Sequence, residues 1–165
     1  MSDTPNPIDA ITAAKPSPGE QHFPKFKVTP GLVKEAKALV AQYPEGKEQS
    51  AVLPIIHLVQ EKFGFICADA MPWIAEMCKS TPIHVAGIVT FYPGIHTMCP
   101  GKYHFRVCRT IACSLSGGEE LIPYICEKIG VNFADMSDEE PMLVSPDGLF
   151  SVEPVECLAN CGFGP

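Results

Sequence analysis

Tyr103-His104-Phe105-Arg106-Val107-Cys108-Arg109-Thr110-Ile111-Ala112-Cys113-Ser114-Leu115-Ser116-Gly117-Gly118 decides how the second half of this chain is read. Tyr103, Phe105 and Val107 alternate with His104, Arg106 and Cys108, the period of a half-buried strand with its apolar side inward. The strand delivers Cys108, a loop carries the chain to Cys113, and Ser116 is expected to cap the helix that follows. That helix has Leu121, Ile122, Ile125 and Ile129 as apolar positions and Gly130 just past its end. Further on, Met142-Leu143-Val144-Ser145 and Leu149-Phe150-Ser151-Val152 flank Pro146-Asp147-Gly148, the pattern of a β-hairpin. The second arm runs through Val155 into Cys157 and Cys161. Strand, helix and hairpin predict a small α/β layer with a cysteine pair at each of two strand ends.

Four thiols brought to one place from two loops make a metal site. The pairs are Cys108 and Cys113, with four residues between them, and Cys157 and Cys161, with three. Structural zinc favours tighter knuckles, whereas wider loops wrap a larger inorganic core, so the spacing favours an iron–sulfur cluster. Neither pair is the C-x-x-C of a dithiol oxidoreductase. A zinc-stabilised interaction module, a thiol oxidoreductase and plain buried cysteines remain the alternatives. A four-thiolate cluster carries net negative charge and needs donors, and Arg109, Ser116-Gly117-Gly118, Gly162 and Gly164 stand where they are wanted. Cys67, Cys78, Cys99 and Cys126 show no pairing pattern and read as buried structural thiols.

The first half has a different period. Residues 1–26 are rich in Pro, Ser, Thr and Asp and read as a flexible tail. Thr29-Pro30 and Thr81-Pro82 each place an N-cap before a proline suited to the first helical position. The first opens a helix through Leu32, Val33, Ala36, Leu39 and Val40. A second helix from about Ser50 has Val52, Leu53, Ile56, Leu58, Val59 and Phe63 on its apolar face and stops at Gly64. A third runs from about Ala68 to Lys79 with Met71, Trp73, Ile74 and Met77 inward. Thr81 opens a fourth, through Val85, Ile88 and Val89 into Phe91-Tyr92, a pair that is either an apolar plug or a docking surface. Four short helices predict a helical bundle over 27–96, followed by the α/β domain over 97–165. His57 and His84 are expected to be packed or capping side chains, and His96 and His104 flank the boundary.

The chain has 165 residues, a net charge of −7 and eight cysteines. That charge, without a Lys/Arg run, argues against a nucleic-acid partner. No apolar stretch is long enough to span a membrane, and no secretory or transit signal is visible. A reducing compartment is expected, where cysteines serve as ligands or buried thiols rather than a disulfide framework.

The chain resembles the small thioredoxin-like [2Fe–2S] subunit of NADH:quinone oxidoreductase (respiratory complex I), the 24-kDa family. The resemblance covers about Val28 to Pro165. It rests on YPEGKEQSAVLPIIHLVQEKFG, TPIHVAGIVTFYPGI, VCRTIACSLSGGEEL and PDGLFSVEPVECLANCGFGP. It implies an N-terminal helical bundle followed by a thioredoxin-like domain, with Cys108, Cys113, Cys157 and Cys161 as cluster ligands. It further implies an electron-transfer role without substrate chemistry in this chain. Its partners would be the flavin-bearing NADH-oxidising subunit and other peripheral-arm subunits, on the cytoplasmic side of the inner membrane and without direct insertion. The homologous subunit of a soluble NAD-linked hydrogenase or formate dehydrogenase is the rival within the resemblance. Family members continue past the last cysteine with another strand and helix, an edge strand and a covering layer that this sequence, stopping at Pro165, does not include; either the sequence is incomplete or the core closes against a partner.

Overall fold

The computed structural model describes residues 25–137 and 140–165. The expected tail, 1–26, therefore lies outside the described residues except for Lys25 and Phe26. Phe26 belongs with the folded chain: its ring packs 5.2 Å from that of Phe63 and 6.0 Å from that of Trp73. The chain divides into two compact units between Met98 and Cys99.

The first unit is helical. α1 (Pro30–Val40) begins where Thr29 Oγ1 accepts the Leu32 N–H at 3.2 Å, satisfying one of the amides a helix start leaves without a partner. A 3₁₀ turn, Glu48–Ala51, occupies the expected start of the second helix, and α2 (Val52–Phe63) follows it. Gly64 ends α2 in the left-handed conformation, φ 82°, which a Cβ would oppose. α3 (Ala70–Met77) is shorter than its pattern suggests, and α4 (Pro82–Phe91) is capped by Thr81. Their facing sides form one core, with Leu32, Ile55, Ile56, Val59, Met71, Ile74, Val85 and Val89 almost wholly buried. Each such side chain contributes about 1.5–3 kcal/mol relative to exposure. Ile55 points inward although the periodicity does not single it out; Leu53 and Leu58, which it does, are half-buried. Trp73 and Met77 likewise pack on the rim of this core rather than within it.

One expectation fails in this unit. His57 and His84 are exposed rather than packed, and His84 supplies only its backbone N–H to the Thr81 cap. Phe91 and Tyr92 are exposed too, edge to face at 5.1 Å, because α4 is apolar on nearly every side but only one side meets the core.

The second unit is a three-stranded sheet with a helix upon it. Its strands are β1 (Tyr103–Cys108), β2 (Leu143–Val144) and β3 (Phe150–Val155), in the order β1-β3-β2. β2 and β3 are the expected hairpin, antiparallel, with Leu143 opposite Val152. β1 and β3 run parallel, from Tyr103 opposite Phe150 to Cys108 opposite Val155. Parallel neighbours need a crossover, and α5 (Glu119–Ile129) supplies it. Together the two units are the α/β class, helical bundle and small mixed layer, that the sequence predicts. Among the described residues no helix is long and apolar enough to cross a membrane.

The covered part of the sheet is smaller than the alternation implies. Ile122 and Cys126 of α5 pack on Val107 and Val152, but Tyr103 and Phe105 lie beyond that cover, 53% and 40% exposed. They stack on Phe150 instead, with ring centroids 5.6 and 6.2 Å away. On the opposite face Ser151 and Glu153 are buried, with His104 and Arg106 turned toward the Glu153 carboxylate.

Candidate metal centre

Parallel pairing of β1 and β3 brings the cysteines together. Cys108 is the last residue of β1, opposite Val155, so the chain leaving β3 carries Cys157 just past the level of Cys108. After β1 a single helical turn, Ile111–Cys113, returns Cys113 to the neighbourhood of Cys108. Cys161 opens a 3₁₀ turn, Cys161–Phe163, that folds back on the same side. All four cysteines line one cavity of about 150 Å³, with Arg106, Leu121, Leu158 and Phe163 among its other walls. Cys108 and Cys113 are buried, while Cys157 and Cys161 are exposed.

Two of the sulfurs lie at metal-binding separation. Cys157 Sγ and Cys161 Sγ are 3.8 Å apart. Two thiolates on one tetrahedral metal, each about 2.3 Å from it, stand about 3.8 Å from one another. Two of the four resist ionisation: Cys113 is pushed above the usual thiol range by its hydrogen bond to Cys108 and by burial. Cys161 is pushed up by its hydrogen bond to Cys157 and by that neighbour's charge. Holding four thiolates here requires a cationic core among them.

Donors around the sulfurs only partly match the expected ones. Cys108 sits below the ordinary thiol range because the Thr110 hydroxyl meets its sulfur, at 3.1 Å, aided by the backbone amides of Thr110 and Leu158. Ala159 takes a left-handed φ of 59°, and its N–H donates to Cys157 Sγ at 3.3 Å. Arg109, expected as the nearby cation, is instead ion-paired with Glu156, its Nη2 3.2 Å from Oε1. Ser116 does not cap α5: its hydroxyl donates to the Ala112 carbonyl, because the chain makes a further wide helical turn over 114–118 before α5 begins.

Of the glycines, Gly118 and Gly164 matter for space. A Cβ at Gly118 would fall 2.9 Å from the Cys113 carbonyl oxygen and 3.0 Å from that of Cys108. One at Gly164 would fall 3.0 Å from Cys113 Sγ, whereas Gly162 has open space. Sequence reasoning missed Thr110, Leu158 and Ala159 as donors. Thr110, two residues after a cysteine, carried a readable signal; the two amides did not, since every residue but proline has one. Of the remaining cysteines, Cys78 is buried in the helical core with Cys67 half-buried against it, Cys126 is buried between α5 and the sheet, and Cys99 is buried as well.

A four-thiolate donor set, without imidazole or carboxylate, fits an iron–sulfur cluster and also zinc. Fold and site therefore define a small α/β domain in which four clustered cysteines form a thiolate donor set suited to a metal centre. Residues 36–165 match the family of the thioredoxin-like [2Fe-2S] ferredoxin, and the chain belongs to that family. Its cofactor is accordingly a [2Fe–2S] cluster, which the donor set accommodates. The chain is 38% identical to NADH-quinone oxidoreductase subunit 2 of Thermus thermophilus over 125 residues, 76% of this chain and 65% of that one. It is 35% identical to an NADH-quinone oxidoreductase subunit of Rhizobium meliloti over 131 residues, 79% of this chain and 45% of that one. Against an NADH-quinone oxidoreductase subunit of Aquifex aeolicus it is 32% identical over 119 residues, 72% of this chain and 69% of that one. The matches thus span less than two thirds of the first two relatives.

Proposed function

We propose that this chain is an electron-transfer subunit of an NADH:quinone oxidoreductase, its [2Fe–2S] cluster held by Cys108, Cys113, Cys157 and Cys161. The observation that carries the reading is the meeting of both cysteine pairs in one cavity, with Cys157 and Cys161 at the separation of two thiolates on one metal. When bound, the cluster supplies a reversible one-electron couple. Cys108 and Cys113 provide its inner support and Cys157 and Cys161 its outer one. The Thr110 hydroxyl meets Cys108 Sγ and the Ala159 N–H donates to Cys157 Sγ, placing dipoles against sulfurs that would share the cluster's negative charge.

The electrons come from and return to the flavin of an NADH-oxidising partner subunit. Substrate chemistry belongs to that partner, and this chain reaches the cytoplasmic face of the inner membrane through its peripheral-arm neighbours. Exposed Ile111, Leu115, Leu158 and Phe163 surround the cysteines, a rim suited to shedding water when a partner covers it.

The test is iron and acid-labile sulfide per chain on anaerobically purified protein, with EPR before and after dithionite. Two iron, two sulfide and a rhombic signal confined to the reduced state are expected. Stoichiometric zinc without sulfide sinks the electron-transfer reading. Affinity purification from the native host then names the assembly: an NADH-oxidising subunit with quinone-reductase subunits supports the proposal, and hydrogenase or formate dehydrogenase subunits replace it.

A further inference from the structure

Among the described residues, Thr29, Thr81 and Thr110 occupy helix N-cap positions, and they do not behave alike. Thr29 accepts the Leu32 N–H at 3.2 Å and Thr81 accepts the His84 N–H at 3.4 Å, the ordinary work of a capping hydroxyl. Thr110 precedes the turn Ile111–Cys113 in the same extended region, φ −77° and ψ 160°, yet makes no capping bond. Its hydroxyl is turned to Cys108 Sγ, 3.1 Å away. The side chain has given up the local bond its position offers for one to a sulfur.

That contact has one possible polarity in the loaded protein. A metal-bound cysteine is a thiolate without a proton, so Thr110 must be the donor and Cys108 the acceptor. A donor to a ligand sulfur stabilises negative charge there, and the reduced centre carries one more negative charge than the oxidised one. Such a bond is therefore stronger in the reduced state and raises the reduction potential. We infer that Thr110 is a positioning and tuning residue, whose hydroxyl donates to Cys108 Sγ and holds the potential of the centre above the value the four thiolates alone would set. The inference rests on Cys108 being a ligand, as proposed above. The donors from Leu158 and Ala159 are backbone amides, which a side-chain substitution leaves in place, so Thr110 is where the effect can be removed.

The test uses the full chain carrying its cluster, titrated potentiometrically with EPR readout, for the unaltered protein, T110V and T110S. T110V keeps the shape and removes the donor; T110S keeps the donor. Expected are two iron and two sulfide per chain in all of them. T110V should lose about tenfold in the equilibrium constant for reduction, a midpoint lower by about 59 mV for one electron. T110S should stay close to the unaltered value, and the g-values of T110V should shift. Should T110V load poorly, T110A against T110S gives the same comparison. Equal midpoints for donor and non-donor variants overturn the inference and leave the ligand set untouched. A C108S variant with unchanged cluster content and spectrum overturns the ligand assignment itself, and this inference with it.

Discussion

Gly164 stands so close to Cys113 that a Cβ on it would lie 3.0 Å from the cysteine sulfur. Its backbone, φ −67° and ψ 164°, is open to any residue, so the requirement is one of space and not of conformation. G164A should therefore displace the Cys113 sulfur and lower cluster content to less than half that of the unaltered chain, measured as iron and sulfide per protein. G162A, with nothing within 4 Å of its added methyl group, should load fully. Equal loading of the two variants would show that the sulfur yields at no cost.

The capping threonines of the helical unit make a second prediction. T29A and T81A should each lower the stability of that unit by about 1 kcal/mol, read by urea unfolding monitored by circular dichroism. T110A should leave the same transition unmoved, because its hydroxyl caps nothing.

Glu153 is a buried carboxylate whose Oε1 lies 3.1 Å from His104 Nε2 and 3.3 Å from Arg106 Nε. Removing one member of a buried pair costs about 3–5 kcal/mol, but Arg106 is partly exposed and can turn to water. E153A should therefore destabilise the α/β unit by about 2 kcal/mol in urea unfolding of the metal-free chain. A loss below about 0.5 kcal/mol would place the cluster among the ion pairs that contribute little.

Cys78 predicts a pH dependence for the helical unit. It is fully buried, and burial in apolar surroundings pushes its thiol from 9.0 to about 11. The unfolded chain releases this proton near pH 9 and the folded chain only near 11, so the folded state binds more protons in between. Its contribution is complete below pH 9 and is lost as pH rises to 11, by roughly 2 kcal/mol. The stability advantage of the unaltered chain over C78A should shrink by that amount between about pH 8 and pH 11, measured as paired unfolding curves. A constant difference would mean that the thiol ionises alike in both states.

The helices were legible because their signals are local. Thr29-Pro30, Thr81-Pro82 and Gly64 each act within one turn, and the structure starts or stops helices at those points. Alternation in β1 disclosed a strand and its two faces but not how far α5 would reach over them. Tyr103 and Phe105 are on the predicted face and outside the covered patch. The cysteine spacing singled out the four residues that the structure brings to one cavity, and the same spacing pointed to an iron–sulfur cluster, the cofactor of the family. What no local pattern contained was the register of β1 on β3, Cys108 opposite Val155, which the crossover through α5 sets. Arg109 illustrates the same limit: adjacency to Cys108 suggested a partner for the sulfur, while the neighbouring strand's exit offered Glu156 first.

The parallel pairing of β1 with β3 also orders events in time. Cys108 and Cys113 leave the ribosome well before Cys157 and Cys161, and the two halves become neighbours only after the helix and hairpin between them have closed. Until then the nascent chain presents two separate dithiols, and the four-thiolate site proposed above is not yet assembled. If these four cysteines hold the cluster as proposed, the complete donor set exists only once the parallel pair has formed, and its exposed side is the Cys157–Cys161 loop.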